Sequence, residues 1–113
     1  MSTRALEAVD RIIEAGSEAD DTLRAVVTEL AREPTIAWAG VLFLEAGTLL
    51  LGPEAGVVDE ARRLSVPVSF QGTVVGELAV DGPAETAFLE QVARRISAHV
   101  LLGWDTGGEA WEP

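Results

Sequence analysis

The stretch Arg62–Asp81 reads RRLSVPVSFQGTVVGELAVD. From 64 to 70, apolar residues alternate with serine and proline, which is typical of a half-exposed strand. Gln71-Gly72 then turns the chain, and residues 73–80 return as a second strand. Because proline has no N–H to donate to a neighbouring strand, we expect the strand through Pro67 to lie at the edge of a sheet. The stretch therefore predicts a hairpin at one side of an antiparallel sheet.

Two further strands are predicted before this hairpin. Residues 36–44 are apolar on both faces of an extended chain, which predicts a central strand covered on both sides. Glu45-Ala46-Gly47-Thr48 predicts a turn into a short strand at 49–51. Residues 52–61 have turn-forming residues at their start and a possible helical turn at their end, so we expect a connecting loop there.

Helical patterns lie at both ends of the chain. Apolar residues recur at spacings of three and four over 4–15, and again from Asp20 or Asp21 to Pro34. A longer helix is predicted from Gly82-Pro83 to a stop at Gly103. The order favours an α+β fold, an antiparallel sheet with the N- and C-terminal helices packed on one face. We expect one domain over 1–103, followed by a tail over 104–113 in which Trp104 and Trp111 fold back or contact a partner.

Composition excludes several classes of function. With 48% apolar residues, the 113-residue chain can bury a continuous core. A formal charge of −11 disfavours nucleic acid and anionic membranes as partners. The N-terminus does not resemble a signal peptide and no apolar run is long enough to span a bilayer, so we expect a soluble, cytoplasmic protein.

The residue types that are missing bear on catalysis. The sequence contains no cysteine and no lysine, and only one histidine. Thiol nucleophiles, Schiff bases and Cys/His zinc sites each need a residue that the chain lacks. No serine lies in a nucleophile motif, and pairs of carboxylates lie where helix capping or solvation explains them. We therefore expect no catalysis, no catalytic residues, no metal and no cofactor.

The order of elements, together with the strands at 38–44, 66–68 and 75–81, resembles a small GAF domain. The resemblance implies a profilin-like antiparallel sheet. Members of that family commonly bind a small molecule in a cavity between the sheet and its loops, or dimerise through their first and last helices. Many have a long insertion before the strand that contains proline. Here only 52–63 occupies that place, so we expect a shallow pocket or none.

Three functions follow from this resemblance. The first is a non-catalytic sensory or regulatory domain that binds a small molecule between the sheet and the 52–63 loop. The second is a ligand-free interaction module, a homodimer through its terminal helices at 4–32 and 84–103 or the partner of an unidentified protein. The third is an inactive relative of the free methionine sulfoxide reductases, which resemble this fold but act through cysteines.

Five side chains are candidate ligand contacts: Trp38, Leu42, Arg62, Phe70 and His99. Trp38 can stack on a flat ligand, and core packing is the alternative. Arg62, paired with Arg63, can bind an anion or remain solvated. His99 lies on the apolar stripe of the last helix, where it can bind a ligand, respond to pH or simply fill the core or an interface.

Overall fold

A computed structural model describes the backbone of residues 3–110 and the side chains of residues 3–102. Three α-helices, four strands and a one-turn 3₁₀ helix follow one another in the order α1 (Thr3–Glu14), α2 (Ala19–Ala31), β1 (Trp38–Glu45), β2 (Thr48–Gly56), the 3₁₀ helix (Glu60–Arg62), β3 (Arg63–Phe70), β4 (Thr73–Asp81) and α3 (Thr86–Ala110). The strands form one antiparallel sheet in the order β2-β1-β4-β3.

The helices lie on one face of the sheet. α2 contacts β1 and β2, α3 contacts β3 and β4, and α1 packs on the other two helices as an outer layer. The core between sheet and helices contains Val41 and Leu78 from neighbouring strands, packed with Leu23, Leu30 and Ile96 from the helices. The predicted fold class, an antiparallel sheet with terminal helices on one face, is therefore confirmed.

The strand positions agree with the sequence patterns. β1, which is apolar on both faces, lies in the interior of the sheet, and β3, which contains Pro67, lies at its edge. The interior position of β1 and the edge position of β3 are therefore confirmed. The expected cover on both sides of β1 is wrong for the described part of the chain, where helices pack against only one face of the sheet. We call the face of the sheet that no helix covers, in the described part of the chain, the open face.

The prediction of a loop over 52–61 is wrong for its first half. β2 continues to Gly56, with a bulge at Gly52-Pro53: Leu42 pairs with Leu51, whereas Gly40 pairs with Glu54. The bulge places two residues of β2 opposite one of β1, which lets the strand include a proline that cannot donate to the ladder. Only residues 57–59 then separate β2 from the 3₁₀ helix, which is the predicted helical turn.

The predicted helix stop at Gly103 is also wrong, because α3 continues to Ala110. Replacing alanine by glycine inside a helix lowers the stability of the helix by only about 1 kcal/mol. A single glycine therefore does not by itself end a helix. The fold-back of Trp104 and Trp111 concerns side chains outside those that the structure describes. No helix in the described part of the chain is long and apolar enough to cross a bilayer.

Candidate functional site

The open face has a cluster of aromatic and charged side chains at the end where β1 begins. Trp38 pairs with Asp81 of β4, and Asp81 pairs with Arg63 of β3, so the three lie side by side on one face. Glu54 of β2 lies on the same face, opposite Gly40. We call Trp38, Glu54, Arg63 and Asp81 the Trp38 cluster.

The Trp38 side chain is buried although it lies on the open face. Its indole Nε1–H donates to Glu54 Oε1 at 2.8 Å, and the Arg63 guanidinium lies 4.3 Å from the centre of its ring. The ring passes over Gly40, where a Cβ atom would lie 2.5 Å from two of its carbons. Only 2% of Trp38 is exposed, and the stacked guanidinium adds a cation–π attraction to this packing.

Asp81 fixes the guanidinium over the ring. Arg63 Nε donates to Asp81 Oδ1 at 2.7 Å and Nη2 donates to Oδ2 at 3.0 Å, a two-pronged geometry that defines the position of both groups. The backbone N–H of Asp59 also donates to Oδ2, at 2.7 Å. Because the Asp81 side chain has no solvent exposure, its charge depends on these partners.

The electrostatics of the pair are consistent with this geometry. The hydrogen bonds from Arg63 lower the pKa of Asp81, and the Asp59 N–H lowers it further, although burial opposes both effects. The hydrogen bond to Asp81 likewise raises the pKa of Arg63. Both pKa shifts thus favour the charged forms of the two groups.

The space between sheet and loop is thus filled by the chain's own side chains. An open cleft of about 370 Å³ lies beside the cluster, lined by Ala61, Arg62, Arg63, Leu64, Gly82 and Pro83. Its wall includes the outer side of Arg63, whose side chain is 32% exposed. A molecule in this cleft would meet Arg63 first and would reach Trp38 only after that side chain moved.

The structure does not bring the five candidate ligand contacts together. Leu42 shares the open face with Trp38 but lies four residues further along β1, roughly 13 Å away. Phe70 is at the far end of β3, roughly 23 Å from the cluster. Arg62 is exposed and lies 3.6 Å from Asp59, so Arg63, not Arg62, contacts Trp38.

His99 lies on α3, in the helical layer on the opposite side of the sheet from Trp38. Its Nδ1 is buried with no hydrogen-bond partner, while the residue as a whole is half-buried. Its position separates it from any site on the open face. Among the side chains that the structure describes, no group of three or more His, Asp or Glu residues could hold a metal ion.

Sequence reasoning missed Glu54, Arg63 and Asp81. Asp81 could have been found, since it follows the apolar run Leu78-Ala79-Val80 at the end of its strand and is followed by the last glycine before α3. A strand places alternate residues on opposite faces, so the start of β3 decides which arginine of the pair faces Trp38. The sequence pattern did not locate that start to within one residue.

Comparisons with known proteins agree with the fold. No protein-family model and no curated protein sequence matches the chain. Among solved structures, the chain is similar to the GAF domain of a phosphoenolpyruvate-protein phosphotransferase from Acinetobacter, with a TM-score of 0.72, 18% identity and coverage of 96% of this chain and 99% of that one.

Two other structures extend the comparison. The corresponding GAF domain from Coxiella burnetii has a TM-score of 0.71 at 15% identity, covering 92% of this chain and 96% of that one. The free methionine-R-sulfoxide reductase of Neisseria meningitidis, in complex with its substrate, has a TM-score of 0.68 at 13% identity, covering 94% and 95%. The chain has a GAF-like fold, as the resemblance implied.

Proposed function

We propose that this chain is a non-catalytic regulatory domain of GAF-like fold that needs no small molecule over its sheet and works by binding another protein. The observation that carries the proposal is the 2% exposure of Trp38 beneath Arg63. A domain built to hold a ligand there would present the ring to a cavity. Here Arg63 of the same chain covers the ring and Glu54 accepts the hydrogen bond from its indole N–H.

The absence of catalysis is part of the proposal and rests on residue chemistry. The structural neighbours include free methionine-R-sulfoxide reductases, but this sequence contains no cysteine to act as a thiol. His99, the only imidazole, lies on the helical side of the sheet, away from the charged cluster on the open face. These residues therefore do not place a general base beside an activated nucleophile in one site.

Native mass spectrometry of the purified protein, followed by the same measurement under denaturing conditions, tests the proposal. We expect the mass of bare chains in both spectra. A mass excess that disappears on denaturation would reveal a non-covalent ligand and contradict the proposal.

A sensor is the second candidate function, and the cleft beside Arg63 is the observation that favours it. A flat molecule entering there could displace the half-exposed guanidinium and stack on Trp38. A variant with Trp104→Phe and Trp111→Phe leaves Trp38 as the only tryptophan, so its fluorescence reports on this site. Metabolite mixtures that quench or shift this emission, but leave unchanged the emission of Trp104 and Trp111 in a Trp38→Phe variant, would support the sensor.

A further inference from the structure

Four leucines form an apolar surface on the open face, away from the Trp38 cluster. Leu42 of β1 pairs with Leu51 of β2, and Leu44 pairs with Leu49, so all four side chains lie on one face of the hairpin. Leu51 is 52% exposed and Leu49 is 37% exposed, while Leu42 and Leu44 are half-buried. We call these residues the leucine patch.

The patch has no covering layer in the described part of the chain. α2 contacts β1 and β2 on the other face, where Val41 and Phe43 enter the core. β1 is thus apolar on both faces but covered by a helix on only one. A strand with two apolar faces is typical of a sheet with a layer on each side, so the hairpin has the pattern of a three-layer arrangement with one layer missing.

The helical layer does not present a comparable surface. Leu102 is the only exposed large hydrophobic residue on a helix among the side chains described, and the others lie on strands or loops. The outward positions of α1 and α2 are mostly charged or polar, as at Arg11, Asp21 and Arg24. The predicted homodimer through the terminal helices stays a prediction, but apolar surface is concentrated on the sheet.

Charge around the patch indicates the chemistry of its partner. Glu77 pairs with Leu42 on the open face, and Glu54 lies beyond Leu51 on the same face. Six of the eight arginines lie on or directly after an α-helix: Arg4, Arg11, Arg24, Arg32, Arg94 and Arg95. Of the other two, Arg62 lies beside Asp59 and Arg63 is held by Asp81, so the patch is bordered by carboxylates without free cations beside them.

A second copy of the chain is a poor match for this surface. Two patches face to face would bring Glu54 and Glu77 of each copy close together, between molecules that each carry a formal charge of −11. Like charges that face each other across an interface reduce the binding free energy by roughly several kcal/mol, whereas complementary charges accelerate association and orient the partners. The carboxylates therefore favour a basic partner.

We propose that the leucine patch is the docking surface for an amphipathic helix of another protein, with apolar residues on one stripe and arginine or lysine beside it. This inference rests on the proposed function, since it names the partner class of an interaction domain. Such a helix would cover the β1–β2 hairpin from the open side as α2 covers it from the other. Its basic residues would meet Glu54 and Glu77 at the border.

Synthetic peptides of about 18 residues provide the probe, long enough for an apolar stripe over several helical turns. The first contains leucine at helical spacing and lysine elsewhere. The second has the same composition with leucine at every other position, as a strand would need. The third replaces each lysine of the first by glutamate. Fluorescence anisotropy of labelled peptide measures binding to the full chain.

Leu51→Glu and Leu102→Glu are matched variants, since the two leucines are 52% and 53% exposed and lie on opposite layers of the molecule. Each adds one negative charge, which alone would strengthen the binding of a cationic peptide. We expect Leu51→Glu to weaken binding of the first peptide by about tenfold or more, and Leu102→Glu to leave it within about twofold. Glu77→Gln, which removes a border charge, should weaken binding by about twofold to threefold.

Several outcomes would overturn the inference. Equal binding of the first peptide to Leu51→Glu and to wild type would mean that the peptide binds elsewhere. If the first peptide does not bind measurably to wild type, the leucine patch is not a docking surface for such a helix. Tighter binding of the alternating peptide would indicate strand addition at β2, and binding of the glutamate peptide would exclude charge matching. A wild-type dimer in sedimentation that Leu51→Glu dissociates would make a second copy the occupant.

These outcomes are separate from the test of the proposed function. A ligand found by native mass spectrometry contradicts the proposed function whatever the peptides do. Bare chains together with unchanged binding in Leu51→Glu contradict only the leucine patch.

Discussion

Asp81 is the residue on which the open face depends most. Its side chain has no exposure, and it accepts hydrogen bonds from two nitrogens of Arg63 and from the Asp59 N–H. Removing one partner of a buried ion pair leaves the other without compensation, which is far more costly than losing a surface pair. The side chain thus connects the beginning of β3, the end of β4 and the loop after β2.

Asp81→Asn should reduce the free energy of unfolding by about 2 to 4 kcal/mol at neutral pH, because the amide keeps the shape but not the charge that holds Arg63. The pKa of Asp81 is lowered in the folded protein, so its stabilisation is complete above the ordinary aspartate range and is lost as pH falls through the folded pKa. The difference between wild type and variant should therefore be constant above about pH 5 and shrink below about pH 4. Urea unfolding at a series of pH values measures it.

Asp20→Asn is the control for this series, since Asp20 pairs with Arg24 in the open, with side chains 44% and 65% exposed. It should change the free energy of unfolding by less than about 0.5 kcal/mol. A difference for Asp81→Asn that persists unchanged to pH 2 would show that its charge does not contribute.

Gly40→Ala tests how closely Trp38 is packed. The added Cβ would lie 2.5 Å from two carbons of an indole that Arg63 and Glu54 hold in place, so the ring or the strand must move. We expect a loss of about 1 to 3 kcal/mol in the free energy of unfolding, together with higher exposure of the indole to a fluorescence quencher. In a Trp38→Leu background the same substitution should cost much less, and an equal cost in both backgrounds would place the strain elsewhere.

At the scale of elements, the sequence predicted strands by their alternation and failed where alternation was interrupted. β3 alternates and is predicted correctly, with Pro67 marking the edge, and β4 is predicted as its partner after the Gln71-Gly72 turn. The sequence predicts that β2 ends at Leu51, because Gly52-Pro53 taken alone is a turn signal. In the structure these two residues form a bulge within β2, and the bulge depends on pairing with β1, a tertiary contact that the local sequence does not reveal. The candidate site depended on the same detail, since the strand continues to Glu54 and thereby brings its carboxylate to Trp38.

The end of β2 depends on Gly56, where the backbone has φ of +97° and a Cβ would collide with the carbonyl oxygen of Ala37. Gly72, at the β3–β4 turn, has φ of +84° but open space around it. Gly72→Ala should therefore cost about 1 kcal/mol for the backbone conformation alone. Gly56→Ala should cost at least about 1 kcal/mol more, because the strand must also separate from Ala37. Thermal unfolding of both variants tests this, and equal losses would show that the collision is relieved without cost.

At the scale of the molecule, the helical layer and the sheet differ in the charge and apolar surface that they present. The helices carry most of the arginines and ion pairs such as that between Arg95 and Asp10, at 2.8 Å. The open face combines the leucine patch with carboxylates, and the Trp38 cluster closes the end where the loop is short. The GAF-like sheet thus exposes leucine side chains at one end of its open face and buries Trp38 beneath its own side chains at the other.

The imbalance of 19 acidic and 8 basic residues should make the folded state sensitive to salt. Repulsion between like charges in a chain of formal charge −11 opposes folding into a compact state. At 10 mM salt the screening length is about 30 Å, so this repulsion acts over most of the molecule, whose longest dimension is 42 Å. Raising NaCl to 100 mM shortens that length to about 10 Å, so Tm should rise by about 3 to 6 °C. Differential scanning calorimetry at fixed pH measures the change. A fall in Tm over the same range would mean that exposed ion pairs such as Arg24–Asp20, which salt screens, stabilise the fold by more than the net charge destabilises it.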